Sequence, residues 1–146
     1  MKSVFIYYSR SGNGDVVAKK LEDKGFDIVK VSPKKALPKS LFFCMMAGGF
    51  LALTKHKAKL NDFYVNLDDY DQIYLGSPIW NGRLSAPMNA MLAKLDLANR
   101  DITFVLYAGG GEAKPAEKRL HKEYPEAKII VLKEPKSNAD SLRSLD

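Results

Sequence analysis

Two short segments of the chain carry residue types that could do chemistry. The first, Ser9-Arg10-Ser11-Gly12-Asn13-Gly14, sets two hydroxyls and two glycines between an apolar run and a helix-like run. Such a loop lets backbone N–H groups close around an anion, and the helix N-terminus that follows adds partial positive charge. A phosphate group is the guest this chemistry suits. A plain strand-to-helix turn would need one glycine, so the loop is richer than a turn requires. Gly12-Asn13-Gly14 could also open a dinucleotide fingerprint. Val17, however, stands where the third glycine belongs, and the second strand ends Lys30-Val31-Ser32 with no acid for a ribose. A Walker A loop needs Gly-Lys-Ser/Thr, which the segment lacks.

The second segment is Gly76-Ser77-Pro78-Ile79-Trp80-Asn81-Gly82, which holds the single tryptophan of the chain. Trp80 either stacks on a flat heteroaromatic ring, with backbone groups near Asn81-Gly82 bonding the ring's edge, or packs inward as core. The first loop favours the ring, because ligand pockets pair aromatic walls with a few placed polar groups. A third stretch, Ala108-Gly109-Gly110-Gly111-Glu112, permits close backbone approach to a ligand. Other reactive residues stand apart. His56 and His121 lack acidic or cysteine companions at metal-ligand spacing, and Cys44 sits among phenylalanines and methionines as an inert thiol would.

Strand-like and helix-like runs alternate around these segments, which predicts an α/β fold with a parallel sheet. Strands are expected at Ser3–Tyr8, Phe26–Val31, Gln72–Leu75, Ile102–Tyr107 and Lys128–Leu132. Helices are expected from about Asp15 to Gly25, from Leu41 to about Ala58, from Pro87 to about Leu97, and from Pro115 to about Tyr124. Ser32–Ser40 and Ser77–Arg83 read as loops. Ser141–Asp146 leaves room for a short helix only, so part of one sheet face is poorly covered or the chain is trimmed. No repeat or linker breaks the pattern, and residues 1–146 read as one domain. The three glycine-rich stretches then share the rim at the carboxyl ends of the strands, where such sheets bind ligands.

Bulk properties narrow the function. The hydrophobic fraction of 46% suits a packed core rather than disorder. One cysteine excludes an internal disulfide, which fits a cytoplasmic setting. No signal peptide precedes the first strand, and the apolar run Leu41–Leu53, thirteen residues with two glycines, is too short to span a bilayer. The net charge of +6 is uneven: residues 1–60 hold 12 Lys/Arg against 4 Asp/Glu, and residues 61–146 hold 11 against 13. Such a block attracts anionic partners when it is not simply a solvated surface. Aromatics are not interleaved with it, which argues against nucleic acid.

The Ser9–Gly14 loop and the Gly-Ser-Pro-Ile-Trp segment together resemble the flavodoxin family, particularly its short members. The resemblance extends over Val4–Asn13, Gly48–Leu60, Tyr70–Pro87 and Thr103–Gly111. It implies a flavodoxin-like three-layer sandwich: a five-stranded parallel sheet of order 2-1-3-4-5, helices on both faces, and FMN at the point where strand order reverses. That topology is carried over from the family. By the same resemblance Ser9, Arg10, Ser11, Gly12, Asn13 and Gly14 would hold the phosphate. Ser77, Pro78, Ile79, Trp80, Asn81 and Gly82 would flank the isoalloxazine, and Ala108, Gly109, Gly110 and Gly111 would line its pyrimidine side. Three departures stand out. Gly14 occupies a position where the family usually has a hydroxyl residue, the third loop lacks the capping tyrosine of many flavodoxins, and the chain is basic where carrier flavodoxins are acidic.

The implied function is electron transfer through FMN to a redox partner protein or a small quinone-like acceptor, acidic or anionic in character. An FMN-dependent NAD(P)H:quinone-type reductase is the alternative, favoured by the open flavin face and the lysines. A phospho-acceptor domain is excluded, because the positions that need acids read Tyr8-Ser9 and Gly76-Ser77. An interaction module without cofactor is kept open by Gly14.

Overall fold

β-Branched and aromatic residues build the central strands, and both faces of those strands are covered. The computed structural model describes residues 1–33 and 60–146. Strands β1 (Ser3–Tyr7), β2 (Asp27–Lys30), β3 (Gln72–Trp80), β4 (Arg83–Leu84), β5 (Ile102–Ala108) and β6 (Lys128–Lys133) form one sheet. Its order is β2-β1-β3-β5-β6, all parallel, with β4 paired antiparallel to β3. Counting the parallel strands alone gives the flavodoxin order 2-1-3-4-5. The helices are α1 (Asn13–Asp23), α2 (Ala86–Lys94) and α3 (Lys114–Glu123), with 3₁₀ turns at Leu67–Asp69 and Ala139–Leu145.

Alternation along each strand sends side chains to two cores. Phe5, Tyr7, Val105, Tyr107 and Leu132 meet Val17, Ala18 and Leu21 of α1 on one face, with Leu145 from the last 3₁₀ turn. Val4, Ile6, Leu75, Phe104 and Leu106 meet Met88 and Met91 of α2 and Leu120 of α3 on the other. Each such fully buried side chain contributes roughly 1.5–3 kcal/mol. Gly76 lies at the centre of the α1 face, and a Cβ there would come within 2.5 Å of Phe5 Cζ. Its missing side chain makes room for the stacked rings of Phe5 and Tyr7, whose centroids are 4.9 Å apart. In the edge strand β6, Ile129, Ile130 and Val131 are half-buried, on both faces of the sheet, and Leu132 is fully buried.

One element differs in kind from the sequence reading. β3 does not stop at Leu75 but runs through Ser77, Pro78 and Ile79 to Trp80. Proline fits there because β1 pairing ends at Gly76, leaving Pro78 with a partner strand only on the β5 side. Asn81 (φ 52) and Gly82 (φ 75) then turn the chain back into β4. Two consecutive residues with positive φ make the mirror-image turn whose twist suits a hairpin. The expected Ser77–Arg83 loop is therefore a strand extension and a two-residue turn. The expected helix Leu41–Ala58, most of the Ser32–Ser40 loop, Cys44 and His56 lie outside the described residues. No helix among the described residues is long and apolar enough to cross a membrane.

Candidate functional site

The Ser9–Gly14 loop joins β1 to α1 at the carboxyl edge of the sheet. Ser9 Oγ accepts hydrogen bonds from the backbone N–H groups of Gly12 (3.1 Å) and Gly14 (3.0 Å), folding the loop into a concave turn. Gly12 has φ 100, a left-handed conformation that favours glycine, and stands at the N-cap position of α1. Its carbonyl accepts from Val16 N, the first intrahelical bond. Arg10 and Ser11 are exposed, and Ser9 and Gly12 half-exposed, whereas Asn13 and Gly14 are buried.

A residue that the sequence reading did not single out completes this loop. Lys136 follows β6, and its backbone N–H donates to Asn13 Oδ1 (2.9 Å) while its ammonium donates to the Ser11 carbonyl (3.1 Å). Its side chain lies over Gly12, where an added Cβ would be 3.2 Å from Lys136 Cδ. No local spacing points to Lys136, because it reaches the loop only through the topology that puts the end of β6 on the same rim. A further charge pair sits beside it. Asp15 Oδ1 accepts from Tyr7 Oη (2.7 Å) and Lys30 Nζ (2.8 Å). Partial burial alone would raise the Asp15 carboxyl, but those hydrogen bonds and the charges of Lys30 and Lys136 outweigh it and hold it below the usual carboxylate range.

Beneath the loop lies a tyrosine. The Tyr107 hydroxyl, on β5, donates to the backbone carbonyl of Tyr8, just beyond β1. Burial, then the charges of Tyr7, Asp15 and Tyr8, push its phenol well above the ordinary value of 10. That hydroxyl explains Gly14: a Cβ there would meet Tyr107 Oη at 2.5 Å, and Ser9 Cβ and Tyr7 Cδ2 at 2.8 Å each. The space a family hydroxyl residue would need is already filled by a phenol from another strand.

The hairpin forms the second side of the rim. Asn81 and Gly82 are at its tip, and the Gly82 carbonyl accepts from Ala116 N (3.0 Å), fixing the turn to the first turn of α3. Ser77 does not face the rim. It is fully buried, with its Oγ 2.8 Å from Ser85 Oγ, and Ser85 in turn caps α2 by accepting from Met88 N (3.3 Å). Trp80 is 4% exposed and lies edge-on to Tyr8, with centroids 6.1 Å apart. Its indole is thus packed inward together with Pro78 and Ile79. The third side is Ala108–Gly111: Gly109 and Gly110 are exposed, Gly111 (φ 75) donates to the Ala108 carbonyl (3.2 Å), and Ala108 is buried. Ser9–Gly12, Asn81–Gly82 and Gly109–Gly111 therefore form the accessible rim, supported from below by Asn13, Gly14, Ser77, Pro78, Ile79, Trp80 and Ala108. Among the described residues no group of three His, Cys, Asp or Glu side chains could hold a metal.

Comparison with known proteins agrees with this architecture. No curated protein sequence matches the chain. A flavoprotein from Lactobacillus acidophilus NCFM, solved in complex with FMN, superposes with a TM-score of 0.69 at 17% identity, over 97% of this chain and 98% of that one. A candidate flavoprotein from Bacteroides uniformis ATCC 8492 gives 0.71 at 19% identity, over 99% and 97%. A flavodoxin from the domain Archaea gives 0.50 at 16% identity, over 99% and 90%. At these identities the likeness speaks for the fold. The sequence itself matches the flavodoxin family model over residues 2–143, so the chain belongs to the flavodoxin family.

Proposed function

We propose that the chain binds FMN at this rim and passes electrons through it to an acidic or anionic partner. One observation carries the reading: Ser9 Oγ shapes the turn by accepting from the Gly12 and Gly14 N–H groups, which leaves its own hydroxyl proton to donate, and the Lys136 ammonium lies on the same loop at the N-terminus of α1. That donor set fits a phosphate, which concentrates negative charge where backbone dipole and lysine are both positive. Ser9, Arg10, Ser11, Gly12 and Lys136 would hold the phosphate, with Asn13 and Gly14 fixing the turn. The exposed backbone of Asn81–Gly82 and Gly109–Gly111 would border the isoalloxazine. FMN supplies the one- and two-electron chemistry when bound, and the chain's residues hold and orient it. Trp80, Ile79 and Pro78 serve by bracing the hairpin that carries Asn81 and Gly82.

A second reading, an FMN-dependent NAD(P)H:quinone-type reductase, draws support from the third loop. Its accessible residues include three glycines, and among the described residues nothing lies within 4 Å of a Cβ built on Gly110, so that side of the rim offers room to a small acceptor. The protein's absorption spectrum tests both redox readings, and the oxidised flavin bands should appear on adding FMN to apoprotein. Titration separates the phosphate site from general flavin affinity. FMN should bind at least about tenfold tighter than riboflavin, the increment of one charge-assisted hydrogen bond. Equal affinities would remove the phosphate role of the Ser9–Gly14 loop, and no binding of either would leave an interaction module without cofactor.

A further inference from the structure

A second concavity adjoins the hairpin turn, between β4 and α3. It encloses about 640 Å³, a volume suited to one small organic ligand. Leu84, Pro115 and Ala116 give it an apolar floor. Arg83 lines one side, and Lys114, Lys118 and Lys122 follow one another along α3 at four-residue spacing, which places them on one helix face.

Three of the lining cations are not spent on internal pairs. Arg83, Lys118 and Lys122 have no ion-pair or hydrogen-bond partner among the described residues. Lys114 approaches Glu112 at 3.9 Å, with both side chains well exposed and so screened by solvent. Arg119 is different: it donates to Glu123 Oε2 (2.7 Å) and Asn89 Oδ1 (2.6 Å), forming a fixed wall. Three lysines at i, i+4 and i+8 repel one another, and Lys114 also opposes the positive end of the α3 dipole. The helix would be more stable without this stripe, so the stripe fits a purpose outside the helix. A flat basic face would suit an acidic protein, and a bare phosphate would have no use for an apolar floor. A concave site with both features matches a flat, apolar ring bearing a phosphate.

We propose that this groove binds a nucleotide-class ligand, its base on Leu84, Pro115 and Ala116 and its phosphate on Arg83, Lys118 and Lys122. The groove shares no lining residue with the Ser9–Gly14 loop, and its ligand goes beyond the flavin reading. The experiment is calorimetric titration of the full FMN-loaded chain with adenosine 2′,5′-bisphosphate, adenosine and inorganic phosphate, repeated on a K118M/K122M variant. The bisphosphate should bind at least about tenfold tighter than either other probe, the increment of one charge-assisted hydrogen bond. That advantage should vanish in the variant, while its flavin spectrum and FMN affinity stay unchanged. Inorganic phosphate binding as tightly as the bisphosphate would mean an adventitious ion only, and would overturn the proposal. So would a bisphosphate affinity equal to that of adenosine or untouched by the double substitution. Binding of a polyglutamate peptide in place of the bisphosphate would reassign the groove to an acidic protein. Because the heat of nucleotide binding is read without redox turnover, failure here leaves the electron-transfer reading intact.

Discussion

Gly14→Ala places two opposing effects on one residue, and the contacts decide between them. Gly14 lies in the first turn of α1, where alanine gains helix propensity of at most about 0.5–1 kcal/mol. Against this, the new Cβ would stand 2.5 Å from Tyr107 Oη and 2.8 Å from both Ser9 Cβ and Tyr7 Cδ2. All three neighbours are held: Ser9 by two backbone N–H bonds, Tyr7 by Asp15, and Tyr107 by the Tyr8 carbonyl. Overpacking of a site that cannot give costs about 1–3 kcal/mol. Gly14→Ala should therefore destabilise by about 1–2 kcal/mol net, lowering Tm by about 2–8 °C for a chain of this size. Urea denaturation of apoprotein reads the difference free of any ligand contribution. Tyr107→Phe removes the nearest of the three atoms, so alanine at position 14 should cost less in that background, with a coupling of about 0.5 kcal/mol or more. An alanine variant as stable as the parent, or a cycle with no coupling, would refute the claim that Tyr107 is what excludes a side chain at position 14.

Lys136→Met should weaken FMN by about fivefold, near 1 kcal/mol for one exposed charge pair, and leave riboflavin affinity unchanged; an equal loss for both ligands would make Lys136 a structural clamp. Ser85→Ala removes the α2 cap and the Ser77 partner together, and should cost about 1–2 kcal/mol in chemical denaturation. The raised phenol of Tyr107 has a signed consequence. Its folded-state value lies above the unfolded one, so its contribution is complete below about pH 10 and is lost as pH rises above it. Tyr107→Phe should flatten the alkaline limb of the stability profile without abolishing it, because Tyr7 and Tyr70 are also raised, Tyr70 to about 12 by its hydrogen bond to Asp27.

What the sequence made legible was the part governed by local pattern. The alternation of strands and helices, the parallel sheet and the Ser9–Gly14 turn rest on residues close in the chain, and the structure has them; the order of the strands came only through the family resemblance, and the structure has that too. Ser77–Arg83 was legible in principle: Asn81-Gly82 between Ile79-Trp80 and Arg83-Leu84 is a hairpin signal. The glycine and proline around it argued for a loop, and only the end of β1 pairing at Gly76 shows why Pro78 is tolerated in a strand. The loop reading left Trp80 open between ring stacking and core, and Ser77 came with the family resemblance; in the strand one packs against Tyr8 and the other against Ser85. Lys136 and the Gly14–Tyr107 exchange were beyond reach for a different reason. Each joins residues far apart in the chain, where spacing carries no information.

The bond from Tyr107 to the Tyr8 carbonyl crosses the sheet rather than running along it. β1 and β5 are second neighbours, separated by β3, so their backbones stand about 9–10 Å apart and no ladder hydrogen bond can join them directly. One phenol bridges that gap on the α1 face, the face on which Gly76 of β3 carries no side chain. The mouth between the first and third loops is thereby gauged by the covalent length of a single side chain, as a strut sets the opening of a frame. The bond ties the end of β1 to β5, and so fixes the points from which the first and third loops leave the sheet. A flat guest at this rim would meet a spacing already set by the scaffold beneath it, before any side chain of the loops touches it.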